Sequence, residues 1–244
     1  SARCFSVNSS TCIRRSPYNP ETEMSPVRTD PVRDSLLFLI GDTPDHNALG
    51  VAKYLLVLLY AALLIGGVAV AWVNWSRDPT QRTGRNAWIW LFRMAIGTMW
   101  LQGSLWKLPW PVAGAFQYWT TQMTENSAFA AHAALVRDVF LANIALLDPA
   151  VYLAETALAI SLMLGFAVRL AGIVAIMFTL NLWIGLYRSA AEWPWQYIFL
   201  IVTHAFFVLD HAGRSLGLDA ILARSRSGLL AGRSLAARAY RLAS

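Results

Sequence analysis

The chain has 244 residues, 57% of them hydrophobic and 14% charged, where an ordinary soluble domain is about 25% charged. Its net charge of +6 would suit nucleic acid if the basic side chains formed one stripe. They lie instead in loops and in the tail, between apolar runs, which is how basic residues orient a membrane protein. Composition thus argues against a soluble domain and a nucleic-acid binder, and predicts a single-domain, all-α membrane protein.

Residues 1–49 form a polar N-terminal segment that is expected to be partly disordered. Ser1 to Glu23 lack the apolar stretch of a cleavable secretory signal, and Met24 opens a more ordinary start. Cys4 and Cys12 lie here; a disulfide between them is open, and nothing in their spacing supports a redox or metal role. No metal and no nucleotide is predicted, because the chain carries no C-x-x-C, haem-attachment, P-loop or dinucleotide motif.

A membrane crossing needs about 20 apolar residues to span a hydrocarbon layer of ~30 Å. Five segments are read as crossings. The first is Tyr54 to Val73, uncharged and Leu-rich, within an extra helix at residues 50–73. Four more make a membrane domain over residues 86–214: Asn86 to Trp106, which carries Arg93; Pro149 to Val168, which carries Glu155; Leu170 to Tyr187; and Pro194 to Leu209, with His204 in its middle. Pro149 to Tyr187 is too long for one crossing at ~1.5 Å per residue. A turn near Gly165, Arg169 and Gly172 is therefore predicted.

Between the second and third crossings, residues 108–148 form an external loop. Its apolar residues Phe129, Leu135, Val136, Val139 and Phe140 recur near helical spacing and predict an interfacial helix. Residues 215–244 read as a basic tail held on anionic lipid. Counting Lys and Arg beside the crossings places the C-terminus in the cytoplasm and the N-terminus outside.

A charge near the bilayer centre costs roughly 2.5–3.5 kcal/mol on insertion scales. Arg93 and Glu155 must therefore pair, reach water or act. From helical rise, Glu155 lies near the external surface with Gln102 and Lys107, whereas Arg93 lies deeper, level with Asn181 and His204. The expectation is one polar cavity lined by both groups. Plainer readings stand beside it: Arg93 snorkelling to the cytoplasmic interface, a neutral Glu155, and Asn181 and His204 as interhelical hydrogen-bonding groups.

Three local patterns resemble the DoxX/DoxD family. Arg93 is followed by Gly103-Ser104-Leu105-Trp106-Lys107, similar to the family's first-helix Arg and Gly-x-x-x-Lys. Glu155 is followed by Leu164-Gly165-Phe166-Ala167-Val168-Arg169, similar to its Glu and Gly-x-x-x-Arg. The last crossing exits through His211-Ala212-Gly213-Arg214-Ser215-Leu216-Gly217-Leu218-Asp219.

The resemblance covers roughly Ala87 to Ala220 and implies a DoxX-like four-helix bundle, here preceded by one extra crossing, in a bacterial inner membrane. It also implies the membrane subunit of a quinone-linked oxidoreductase system of the thiosulfate-oxidising kind, with quinone as electron acceptor and a partner protein subunit. Glu155, Arg93 and His204 would then be catalytic, and Gln102, Lys107, Asn181 and Arg169 would contact substrate or quinone. Two rival readings are a non-catalytic accessory subunit of a larger respiratory or photosynthetic complex, and a protein that binds or processes lipid head groups.

Overall fold

The computed structural model describes residues 31–224, 240, 243 and 244. Cys4, Cys12 and Met24, and the tail residues Arg226, Arg233, Arg238 and Arg241, lie outside the described residues. Helix is the only regular structure among the described residues, with no strand.

The last part of the polar N-terminal segment is ordered by docking. Helices α1 (Pro31–Ile40) and α2 (Pro44–Ala48) precede α3 (Lys53–Arg77). Thr43 caps α2 and places the buried His46 against Phe38, whose ring meets His46 and Tyr60 edge-on at 5.1 Å each. An aromatic contact thus pins residues 31–48 to α3.

After α3, Thr83 caps α4 (Gly84–Ser104) by accepting from the Asn86 amide at 3.1 Å. A 3-10 turn, Leu105–Lys107, follows. The segment read as an external loop with an interfacial helix holds more structure than expected. It contains α5 (Gly114–Asn126) and α6 (Ala130–Leu135), and α6 passes through π and 3-10 turns into α7 (Ile144–Leu164). Asn143 leaves helical geometry (φ −119°, ψ 29°), so the axis breaks there. The third long helix therefore begins five residues before Pro149, and the Ala-rich stretch leads into it.

Helix α7 ends at Gly165, which is left-handed at φ +70°, a conformation open to glycine without strain. Helix α8 (Val168–Gly185) then runs back, as the sequence predicts. Gly172 plays a different part from the one expected. A Cβ there would meet the Val208 side chain at 2.6 Å and the His204 carbonyl at 3.2 Å, so this glycine brings α8 close to α9 (Pro194–Leu209). A 3-10 turn, Ala212–Arg214, and α10 (Leu218–Arg224) complete the described chain apart from its last residues.

The core is built from two tightly packed helix pairs, α4 with α7 and α8 with α9. Leu101, Ala159, Leu162, Met163, Ala175 and Phe207 are buried in one apolar cluster. Three segments among the described residues are long and apolar enough to cross a membrane: Gly50–Arg77, Ala130–Leu164 and Val168–Gly185. They support a membrane protein. Helix α9 is apolar but has 16 residues, about 24 Å of helix. Helix α4 has 21 residues, but Arg85, Asn86, Arg93 and Gln102 keep it out of that set.

Candidate functional site

The charged residues expected in one cavity fall into separate sets. At the end of the bundle where α4 stops, Lys107 Nζ lies 2.6 Å from Glu155 Oε2, with the two side chains 3% and 6% exposed. The 3-10 turn after α4 swings Lys107 towards α7, and Nζ also donates to the Gly103 carbonyl at 2.9 Å. The same ammonium sits 3.9 Å from the centre of the Trp106 ring, a cation–π distance. A carboxylate, a carbonyl and a ring face thus replace the water that Lys107 loses on burial.

Asp148 belongs to this region. It is 0% exposed and lies seven residues before Glu155, two turns earlier on the same face of α7. Its Oδ2 accepts from the Ala113 amide at 2.7 Å, and its charge and that of Lys107 act on one another. The reading from sequence left Asp148 at the end of a loop, because Pro149 looked like the first helical residue.

Gln102 faces elsewhere. It lines a cleft of about 290 Å³ with Phe38, Thr43, Asp45, Met99, Gly103 and Trp106. The cleft lies between the docked N-terminal helices and the last turn of α4. Gly103 and Trp106 are shared by the cleft and the surroundings of Lys107, so one layer of residues from the end of α4 and the turn after it lies between cleft and ion pair.

Arg93 goes to the opposite end. Its guanidinium is fully buried and donates from Nη1 to the Ala212 carbonyl at 2.8 Å, just after α9. Gly165 and Gly217 lie so close that a Cβ on either would collide with Nη1. Its Nε and Nη2 have no hydrogen-bond partner, and the Asp219 carboxylate acts on its charge. Asp219 also accepts from the Ala167 amide at 2.8 Å and the Val168 amide at 3.3 Å, capping the start of α8. The Asn74 amide donates to the Gly217 carbonyl at 3.0 Å. Arg93 therefore neither pairs with Glu155 nor meets Asn181 and His204; it reaches back along α4 to the closing loop.

His204 is held on both sides. Nδ1 donates to the Leu200 carbonyl at 2.7 Å, which leaves Nε2 to accept from Trp100 Nε1 at 2.9 Å. With both nitrogens occupied, this imidazole joins α9 to α4 and has no free nitrogen for a substrate. Asn181 pairs with a residue that the sequence reading did not select: its Oδ1 lies 3.1 Å from His132 Nε2, and His132 Nδ1 lies 3.0 Å from Ser127 Oγ. That chain ties the α5–α6 junction to α8. Arg169 stands in the first turn of α8, half-buried, at the Arg93 end.

Of the seven residues selected from sequence, the structure brings together Lys107 and Glu155 and sets Gln102 on the neighbouring cleft. Arg93, His204, Asn181 and Arg169 lie apart from them. No group of three or more His, Cys, Asp or Glu residues able to hold a metal ion occurs among the described residues. Compared with protein-family models, curated proteins and solved structures, the chain matches none.

Proposed function

We propose that this chain is the membrane subunit of a quinone-linked oxidoreductase system, and that the cleft beside Gln102 receives the quinone head group. The observation that carries the reading is the position of an aromatic-walled cleft one residue layer from a buried ammonium–carboxylate pair. Phe38, Met99 and Trp106 offer apolar and aromatic surface to a ring, and Gln102 and Thr43 offer hydrogen-bonding groups to its carbonyl oxygens. A volume of about 290 Å³ lies at the small end of ligand sites and suits a single-ring head with its tail left in lipid. Reduction of a quinone to a quinol takes two electrons and two protons. A partner subunit supplies the electrons, and Lys107 and Glu155 stand nearby for proton exchange.

The DoxX/DoxD resemblance points the same way, and its motifs fall at helix ends: Gly103 in the last turn of α4 and Lys107 just after it, Gly165 and Arg169 at the α7–α8 turn, and 211–219 after α9. The topology that suits this reading is five crossings in a bacterial inner membrane, with the N-terminal segment outside and the C-terminal segment cytoplasmic. Helix α4 crosses because it packs along α7, and α9 because it packs along α8; the mid-helix polar side chains Arg93 and His204 are buried in protein.

Photolysis of the lipid-reconstituted chain with a photoreactive short-tailed quinone tests the assignment. Labelling is expected within residues 99–106, competed by unlabelled quinone and weakened about tenfold, or about 1.4 kcal/mol, by Gln102→Leu. Label that does not saturate, or that maps only to the lipid-facing side of α3, would remove the quinone reading.

A further inference from the structure

We propose that Asp148 is a proton-binding site, the acidic member of a three-group set with Lys107 and Glu155 that holds one exchangeable proton inside the protein. The set contains two carboxyl groups and one ammonium. Lys107 lies 2.6 Å from Glu155, so its charge is taken up by that partner. Asp148 is fully buried, and one of its oxygens accepts from a neutral backbone amide. Its other oxygen, Oδ1, is buried with no hydrogen-bond partner.

An isolated carboxylate out of water is far more costly than a carboxylic acid in the same place. A proton on Asp148 makes the set neutral: one acid, one carboxylate and one ammonium. The ionisable groups on the face around Asp148 are Lys107, Glu155 and Tyr152, and Tyr152, buried on the intervening turn, has its ring edge-on to Trp110. Lys107 is the only cation that acts on Asp148 among the described residues.

This arrangement makes the proton transferable as well as bound. Lys107 pairs with Glu155, and its charge also acts on Asp148. If Glu155 takes a proton, the ammonium is released to Asp148, which then gives its own proton up. The site accordingly exchanges a proton between two positions two helical turns apart on α7, about 10 Å along its axis. The inference does not depend on quinone, and its test contains none.

The test is reaction of the chain, in lipid vesicles at neutral pH, with dicyclohexylcarbodiimide, which adds to a protonated carboxyl in an apolar setting and not to a carboxylate. Peptide mass spectrometry is expected to place the adduct on Asp148, and Asp148→Asn to abolish it. Glu155→Gln frees Lys107 to pair with Asp148 and is expected to cut labelling at Asp148 by about tenfold. Lys107→Met is expected to extend labelling to Glu155. Labelling of Glu155 alone in the native chain, or undiminished Asp148 labelling in Glu155→Gln, would overturn the proposal. Protection by sodium ions at constant pH would also overturn it, in favour of a metal-cation site. An infrared band of a protonated carboxyl, present in the native chain and absent from Asp148→Asn, gives a readout independent of the reagent, and its absence from the native chain counts against the site.

Discussion

Lys107 and Glu155 illustrate how a charge survives in an apolar bundle: each supplies what the other loses on leaving water. Removing one partner strands the other, at a cost of about 3–5 kcal/mol for a buried pair, whereas replacing both with apolar groups of similar size is often tolerated. Glu155→Leu and Lys107→Met are therefore each expected to lower thermal stability in detergent strongly, and the double variant to recover most of the loss. A double variant no more stable than either single one would show that the pair is not energetically coupled.

His46 makes a second prediction at this scale. Burial holds its imidazole below the ordinary value of 6.5, with Asp45 opposing the shift. The neutral ring belongs to the docked form, so its contribution is fully present above about pH 6.5 and is lost as pH falls through the lowered folded value. Hydrogen exchange at residues 44–57 is expected to quicken as pH falls below about 6.5, and His46→Asn to remove that dependence. The ion pair was legible in the sequence because helical rise places Lys107 and Glu155 at one level. Depth says nothing of direction around a helix axis, however. That is why Gln102, on the turn before Lys107, looks into a different space, and why Arg93, with a long flexible stem, leaves its own level for the Ala212 carbonyl.

Packing between the helices depends on where glycine lets backbones meet. A Cβ on Gly97 would lie 2.6 Å from Met163 Cγ and 3.2 Å from the Ala159 carbonyl, whereas one on Gly103 would meet nothing within 4 Å. Gly97→Ala is therefore expected to destabilise by about 1–3 kcal/mol through overpacking of α4 on α7. Gly103→Ala, six residues along the same helix, is expected to be neutral or to stabilise by up to about 1 kcal/mol; melting of the two variants side by side checks the contrast. Most elements were visible as apolar runs, and Gly165 marked the α7–α8 turn correctly. The start of α7 was hidden because Pro149 reads as a boundary, yet it stands inside α7 as the sixth residue, where it forgoes one backbone hydrogen bond to the turn before it. Asp148 was lost with it, since its relation to Glu155 exists only if both stand on one helix.

For the whole molecule, the proposed five-crossing topology would put the connection between α3 and α4 and the loop after α9 on one face, and the connection between α8 and α9 on the other. With Cys4 and Cys12 replaced by serine, Gln81→Cys is expected to react with an impermeant thiol reagent only from the cytoplasmic side, and Ser189→Cys only from outside. Reaction of both from one side would remove a crossing. Composition was enough to predict a helical membrane protein. Of the five runs read as crossings, three fall in segments long and apolar enough to cross by themselves among the described residues; α4 falls short through its polar residues and α9 through its 16-residue length.

Asp219 gives the closing loop a role in the order of events during synthesis. The groups it caps, the amides of Ala167 and Val168, are made about fifty residues earlier in the chain. Until residue 219 emerges, α8 starts without its cap, and Arg93 lacks the carboxylate that acts on its charge. The bundle thus closes last at the residue that ties its end to its middle: a chain halted before Asp219 leaves the start of α8 open.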